Sequence, residues 1–188
     1  MRIIAGKYRG KKIFQPIDNH TRPLKDLVKE SIFNLIVHSN KINFKIENTV
    51  ILDLFAGSGS FGLECASRNS KEIIFFENNP NAIKILKKNL NIFKEFNKYK
   101  IYERNCFEYF NSKNNLDNKF DIIFLDPPYK EKRTNEILNN ILKVDIIKPE
   151  GIIILHRHKK DDIGITDKLK IFEERKYGLS KIFFCKKN

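Results

Sequence analysis

Residues 120–130, FDIIFLDPPYK, carry an apolar run straight into Asp126, Pro127, Pro128 and Tyr129. That tetrapeptide suits one kind of chemistry. An exocyclic amine on a nucleic-acid base is a poor nucleophile because its lone pair is delocalised into the ring. Acceptors that hold its hydrogens help build sp³ character on the nitrogen. Asp126 offers one such acceptor and the main-chain carbonyl of Pro127 another. The prolines stiffen the segment, and Tyr129 offers a flat face on which a base taken out of its stack can lie. Asp126, Pro127 and Tyr129 are therefore the catalytic candidates, with Pro128 and Tyr129 against the base. The bland alternative is a proline-terminated strand followed by an ordinary turn.

A second constellation precedes it. In ILDLFAGSGSFGLE, residues 51–64, an apolar run leads into Asp53, and Gly57, Gly59 and Gly62 follow in GxGxxG spacing. Glycine tolerates positive φ and has no side chain to obstruct a ligand, so such a turn lets backbone approach closely. The spacing alone also fits a tight strand-to-helix turn with no ligand. Asp53 separates the candidate ligands, because a carboxylate there repels a pyrophosphate but suits a cationic amino-acid group. S-adenosyl-L-methionine is favoured over NAD on that ground, with Phe55 and Ala56 completing the turn. About twenty residues beyond the first glycine, Glu77 ends the next apolar run, beside Asn78, where a carboxylate can accept ribose hydroxyls. Further on, RNCFEYF places Asn105 and the backbone of Cys106 and Phe107 where an adenine edge could be read. Asn105 fits a helix cap equally well.

These residues need elements to hold them. Short apolar strands at 50–54, 72–76, 100–103, 120–125 and 151–155 alternate with helices at 59–68, 80–95 and 133–143, the pattern of an open α/β sheet. Pro80 suits a helix start, and residues 170–187 read as an antiparallel hairpin turning at Gly178. Ahead of this, residues 2–14 suggest a small β-hairpin, and Leu24, Leu27, Val28, Ile32, Leu35 and Ile36 recur as on an amphipathic helix. Residues 1–40 then form an N-terminal extension and residues 41–188 the main domain.

The chain has 188 residues, 41% of them hydrophobic, and no apolar run near the roughly 20 residues that cross a bilayer. No apolar stretch of signal-peptide type follows the basic start, so a cytoplasmic protein is expected. Cys65, Cys106 and Cys185 lie far apart without CxxC spacing, which points away from disulfides and from a metal site. His20, His38, His156 and His158 lack ligand spacing, and residues 156–160 read as a basic surface loop. Ser58 and Ser60 have no placed histidine or acid for a hydrolase triad. Net charge is +13, and the first twelve residues carry Arg2, Lys7, Arg9, Lys11 and Lys12 with no acid. Such packing suggests a phosphate-contacting surface, although a lysine-rich composition raises the charge everywhere.

With LDLFAGSGSFGLE, FENN and DPPY in this order, the chain resembles class I S-adenosylmethionine methyltransferases of the amino-methylating kind. RIIAGKYRGKKI, TRPLKDLVKESIFN and LDLFAGSGSFGLECASR further resemble the RsmD family, bacterial methyltransferases acting on guanine N2 of 16S ribosomal RNA. The resemblance covers nearly the whole chain and implies a Rossmann-like, mostly parallel seven-stranded sheet. It also implies a 16S rRNA substrate in the small ribosomal subunit or an assembly intermediate; a monomer is expected. Onto this sequence it carries residues 53–59 for the methionine moiety, Glu77 for the ribose, Asn105 with Cys106 for the adenine, and residues 126–129 for the base. Arg22, in the TRP of this pattern, joins the basic N-terminal residues as a candidate RNA contact. Leu24 and His156 depart from the family pattern, which commonly has threonine and an acid there. DNA adenine-N6 or cytosine-N4 methylation shares DPPY and the cofactor motifs, and a non-catalytic RNA-binding assembly protein is the alternative of another class.

Overall fold

The computed structural model describes residues 1–16, 24–112, 116–161 and 164–188; Arg22 lies outside them. The short apolar runs form the centre of one sheet: β1 (Val50–Leu54), β2 (Glu72–Phe76), β3 (Tyr99–Tyr102) and β4 (Phe120–Leu125). β5 (Ile147–His158) extends it, and β6 (Leu169–Tyr177) and β7 (Ser180–Lys187) complete it. The order is β3-β2-β1-β4-β5-β7-β6, with β1 to β5 paired in parallel and β7 antiparallel to both β5 and β6. The mostly parallel seven-stranded sheet with an antiparallel C-terminal hairpin is thus present.

Alternate residues of a strand point to opposite faces, and the core divides accordingly. Ile51, Phe75, Ile122 and Phe124 share one core with buried residues of α1 (Asp26–His38), α2 (Ser60–Ser67) and α3 (Pro80–Leu90). Leu52, Phe76, Ile123 and Leu125 meet α4 (Cys106–Asn111) and α5 (Thr134–Lys143) on the other face.

Several elements differ from the sequence reading for identifiable reasons. Helix α3 stops at Leu90 rather than 95, and Phe93 then turns inward to pack on Tyr8 with ring centroids 4.5 Å apart. β5 runs on to His158, beyond the expected 155, because β7 pairs along it from Ile153↔Cys185 to His158↔Ser180. Along α1, Leu27 is 66% exposed while Lys29 is fully buried, its Nζ donating to Arg2 O at 2.7 Å and lying 3.6 Å from Glu64. Burial pushes the Lys29 ammonium below its ordinary pKa, with Glu64 opposing that shift.

The N-terminal hairpin is short: around one antiparallel bridge, Arg2↔Lys12, Ile3 N donates to Lys11 O at 2.9 Å, Gly10 N to Ile3 O at 2.9 Å and Ile13 N to Met1 O at 3.0 Å. Four of its donors, Ile4 N, Ala5 N, Lys7 N and Tyr8 N, turn to α2. Ile4 N and Ala5 N donate to the Glu64 carboxylate at 2.7 and 3.0 Å, and Lys7 N donates to Ser67 O at 2.7 Å. A Cβ on Gly6 would lie 1.9 Å from Ser67 O, so only glycine permits this approach.

Strand order reverses between β1 and β4, which opens a crevice at their carboxyl ends. Leu54 pairs with both Phe76 and Leu125, and Leu125 with Leu155. The next residue of each strand, Phe55, Glu77, Asp126 and His156, therefore emerges along one edge.

Candidate active site

That edge borders a cleft of about 750 Å³ lined by, among others, Asp53, Gly57, Glu77, Asp126, Pro128 and Tyr129. Three carboxylates converge on it. Asp53 is 1% exposed, and its Oδ2 accepts from Gly62 N at 3.0 Å. Burial pushes its carboxyl well above the ordinary range; the Gly62 hydrogen bond opposes this, and the charges of Asp126 and Glu77 add to it. Glu77 is anchored by backbone: Oε2 accepts from Gly57 N at 2.7 Å, and Oε1 from Asn78 N and Asn79 N at 2.9 and 2.8 Å. Oε2 keeps acceptor capacity toward the cleft, since a carboxylate oxygen has about two lone-pair sites.

The three glycines of the turn are needed for different reasons. Gly57 has φ +57°, and a Cβ there would meet nothing nearer than Phe55 O at 4.0 Å, so the space beside it belongs to the cleft. Gly59 combines φ +78° with a Cβ position 2.4 Å from Leu86 Cδ1, and Gly62 is a packing glycine whose Cβ would lie 2.3 Å from Phe75 Cε1. Phe55, a non-glycine residue at φ +59°, is held in the left-handed region at the head of the same turn. Its ring rests edge-on against Phe107.

The acidic, glycine-walled cleft fits a nucleoside ligand bearing positive charge and disfavours a pyrophosphate. The family model described as Conserved hypothetical protein 95 matches residues 1–186. YlbH of Bacillus subtilis (strain 168) is 31% identical over 100% of this chain and 99% of its own length. The chain belongs to the RsmD family. A relative from Haemophilus influenzae named Ribosomal RNA small subunit methyltransferase D is 29% identical over 95% of this chain and 90% of its own. In fold, the yhhF protein of Escherichia coli superposes with a TM-score of 0.84 at 24% identity, covering 100% of this chain and 97% of that one.

In this RsmD-family chain, Asn78 also borders a second depression of about 450 Å³ that includes Asn105, Glu108 and Tyr109. Asn105 caps α4, its Oδ1 accepting from Phe107 N at 2.9 Å. Cys106 is buried behind it, and burial pushes its thiol up to about 12, so its side chain offers no thiolate. Among the described residues, no group of His, Cys, Asp and Glu could hold a metal ion, and no helix is long and apolar enough to cross a membrane.

Asp126 enters the cleft with its side chain 16% exposed, and its Oδ1 lies 2.8 Å from His156 Nδ1. The expected basic surface loop at 156–160 is corrected here: His156 and Arg157 are 2% and 3% exposed within β5. Arg157 clamps the DPPY segment by donating to Pro128 O at 3.0 Å, Tyr129 O at 3.2 Å and Glu131 O at 2.9 Å. Tyr129 stands edge-on to His158 at 4.8 Å between ring centroids. The missed signal was the equal apolar run in FDIIFLD and GIIILHR. Parallel pairing of Leu125 with Leu155 puts the polar residue after each run at the same edge.

The basic N-terminal residues Arg2, Lys7, Arg9, Lys11 and Lys12 are all exposed, away from these carboxylates in sequence. Lys7 forms an ion pair with Glu95, and Lys11 Nζ donates to Ile92 O at 3.3 Å and lies 4.9 Å from the Tyr8 ring centroid.

One variant separates ligand approach from packing. Gly57→Val is expected to lose about 100-fold or more in affinity for S-adenosyl-L-methionine by calorimetry, while still melting cooperatively. Gly59→Val and Gly62→Val should instead lower the thermal midpoint, because their side chains meet Leu86 and Phe75. Wild-type affinity in Gly57→Val would place the cofactor elsewhere.

Proposed function

We propose that this protein methylates the exocyclic N2 of a guanine in 16S rRNA, in the small ribosomal subunit or an assembly intermediate, with S-adenosyl-L-methionine as donor. In this reading it works as a cytoplasmic monomer. The observation that carries it is the convergence of Asp53, Glu77 and Asp126 from three neighbouring strands on one cleft, in a chain of this family. The Haemophilus influenzae relative's name supports the choice of small-subunit RNA as substrate.

Asp53 and the Gly57 turn would hold the methionine part of the cofactor, Glu77 its ribose, and the Asn78–Asn105 depression its adenine. When bound, the cofactor supplies a methyl group made electrophilic by the sulfonium sulfur. The remaining work falls to the chain. Asp126 and Pro127 O would accept the amine's hydrogens, which draws the nitrogen lone pair out of conjugation with the ring. The amine proton released on transfer would pass to the Asp126 carboxylate. Pro128 and Tyr129 hold the extruded base, and Arg157 keeps the segment from yielding as the base arrives.

The test is incubation with labelled S-adenosyl-L-methionine and either 30S particles or naked rRNA, followed by mapping of the methylated nucleotide. Label on a guanine N2 supports the reading. Label on DNA amines, or cofactor binding without transfer, would replace it with one of the other two readings.

The basic N-terminal segment is proposed to bind rRNA phosphates. Neutral replacement of Arg2, Lys7, Arg9, Lys11 and Lys12 should weaken particle binding and flatten its salt dependence by roughly 0.7–0.9 in log–log slope for each phosphate no longer neutralised. Cofactor affinity should stay constant. An unchanged slope with wild-type methylation would make the segment a packing element only, a role its bonds to Glu64 and Ser67 already perform.

A further inference from the structure

Asp126 and His156 are neighbours because β4 and β5 are parallel and Leu125 is in register with Leu155. The two side chains differ in surroundings. The imidazole is buried, with Nδ1 at 2.8 Å from Asp126 Oδ1, while the carboxylate remains open to the cleft. An ionised carboxylate has no proton to offer, so a hydrogen bond at this distance requires Nδ1 to carry the hydrogen and donate it. Oδ1 is thereby engaged by the buried ring, and rotation of the carboxylate is restrained. Oδ2 takes no part in that bond. Tyr129 stands edge-on to the same imidazole at 6.5 Å, and across β7 the register partner of His156 is the apolar Ile182.

We propose that His156 is a positioning residue for methyl transfer, holding the Asp126 carboxylate by its Oδ1 so that Oδ2 is presented to the substrate amine. The inference rests on the reading of Asp126 as the amine's acceptor. Such positioning matters because an acceptor that swings away from the amine hydrogen no longer pulls the lone pair out of conjugation, and displacements of about 1 Å can cost on the order of 100-fold in rate.

Two substitutions test it. His156→Leu removes the donor. His156→Asn places an amide Nδ2 at the same number of bonds from the backbone as Nδ1 and so restores a donor without the ring. With labelled S-adenosyl-L-methionine and 30S particles, His156→Leu should lower kcat by about 10- to 100-fold, leaving KM for particles and calorimetric cofactor affinity near wild type. His156→Asn should recover most of kcat. Wild-type kcat in His156→Leu would overturn the proposal, as would His156→Asn that folds, binds cofactor and is equally slow. Should His156→Leu fail to fold, His156→Gln replaces it, its donor displaced by one methylene; equal turnover by the Gln and Asn variants would then overturn the proposal. A substrate-free readout keeps this separate from the proposed function. Proton NMR of the wild type should show a protected imidazole N–H resonance that disappears in Asp126→Ala, and its absence from the wild type would overturn the proposal. Failure of wild-type methyl transfer with that resonance intact counts against the substrate reading and leaves the Asp126–His156 bond supported.

Discussion

Asp126→Ala protein is expected to bind S-adenosyl-L-methionine as tightly as wild type and to transfer methyl groups about 10²- to 10⁴-fold more slowly. In the proposed role Asp126 acts on the substrate amine, and its side-chain bond goes to His156 rather than to the glycine turn or Glu77, which would hold the cofactor. Its charge in fact adds to the upward shift of the Asp53 carboxyl, so its removal eases ionisation of Asp53. The truncation leaves the buried His156 Nδ1 without Asp126, which should cost about 1–3 kcal/mol of stability and a lower thermal midpoint. Single-turnover kinetics with saturating cofactor, together with calorimetry, checks both halves. Near-normal turnover would remove Asp126 from the chemistry.

Asp53→Asn should do the reverse, weakening cofactor binding by about 10- to 150-fold, on the order of 1.5–3 kcal/mol for a hydrogen bond to a charged group, without destabilising the fold. Asn keeps an oxygen for Gly62 N and removes a buried charge whose neighbours in the cleft are Asp126 and Glu77. The sign of the pH dependence follows from the raised carboxyl. Its protonated form is favoured in the folded state, so its contribution to stability is full below the ordinary carboxylate pKa and is lost as pH rises through the raised value. Cofactor affinity runs oppositely. A cationic amino group prefers the ionised carboxylate, so wild-type affinity should climb as pH rises through the raised value, with proton uptake by buffer visible in calorimetry. In Asp53→Asn that climb should vanish. A variant that binds as tightly as wild type, with the same pH profile, would separate Asp53 from the cofactor.

The sequence by itself determined the strands and the acids at their ends. Each is a local pattern: three or four consecutive apolar residues, then Asp126-Pro127-Pro128-Tyr129 or Glu77, or Asp53 ahead of three glycines. Order along the chain and the wound α/β alternation then dictated that these ends share an edge. Other properties depended on contacts between residues far apart. Burial of Lys29 needed Glu64 and the Arg2 carbonyl, and a Cβ at Gly59 or Gly62 would meet Leu86 or Phe75 rather than a ligand. Lys7 read locally as an unpaired cation, and only the fold brings Glu95 beside it. His156 and Arg157 looked like a solvated basic loop because histidine and arginine before two lysines read locally as surface. Only the pairing of β5 with β4 and β7 carries the strand past Leu155 and sets His156 on Asp126 and Arg157 under the DPPY carbonyls. Register between strands thirty residues apart is a property of the packed sheet, and no local periodicity encodes it.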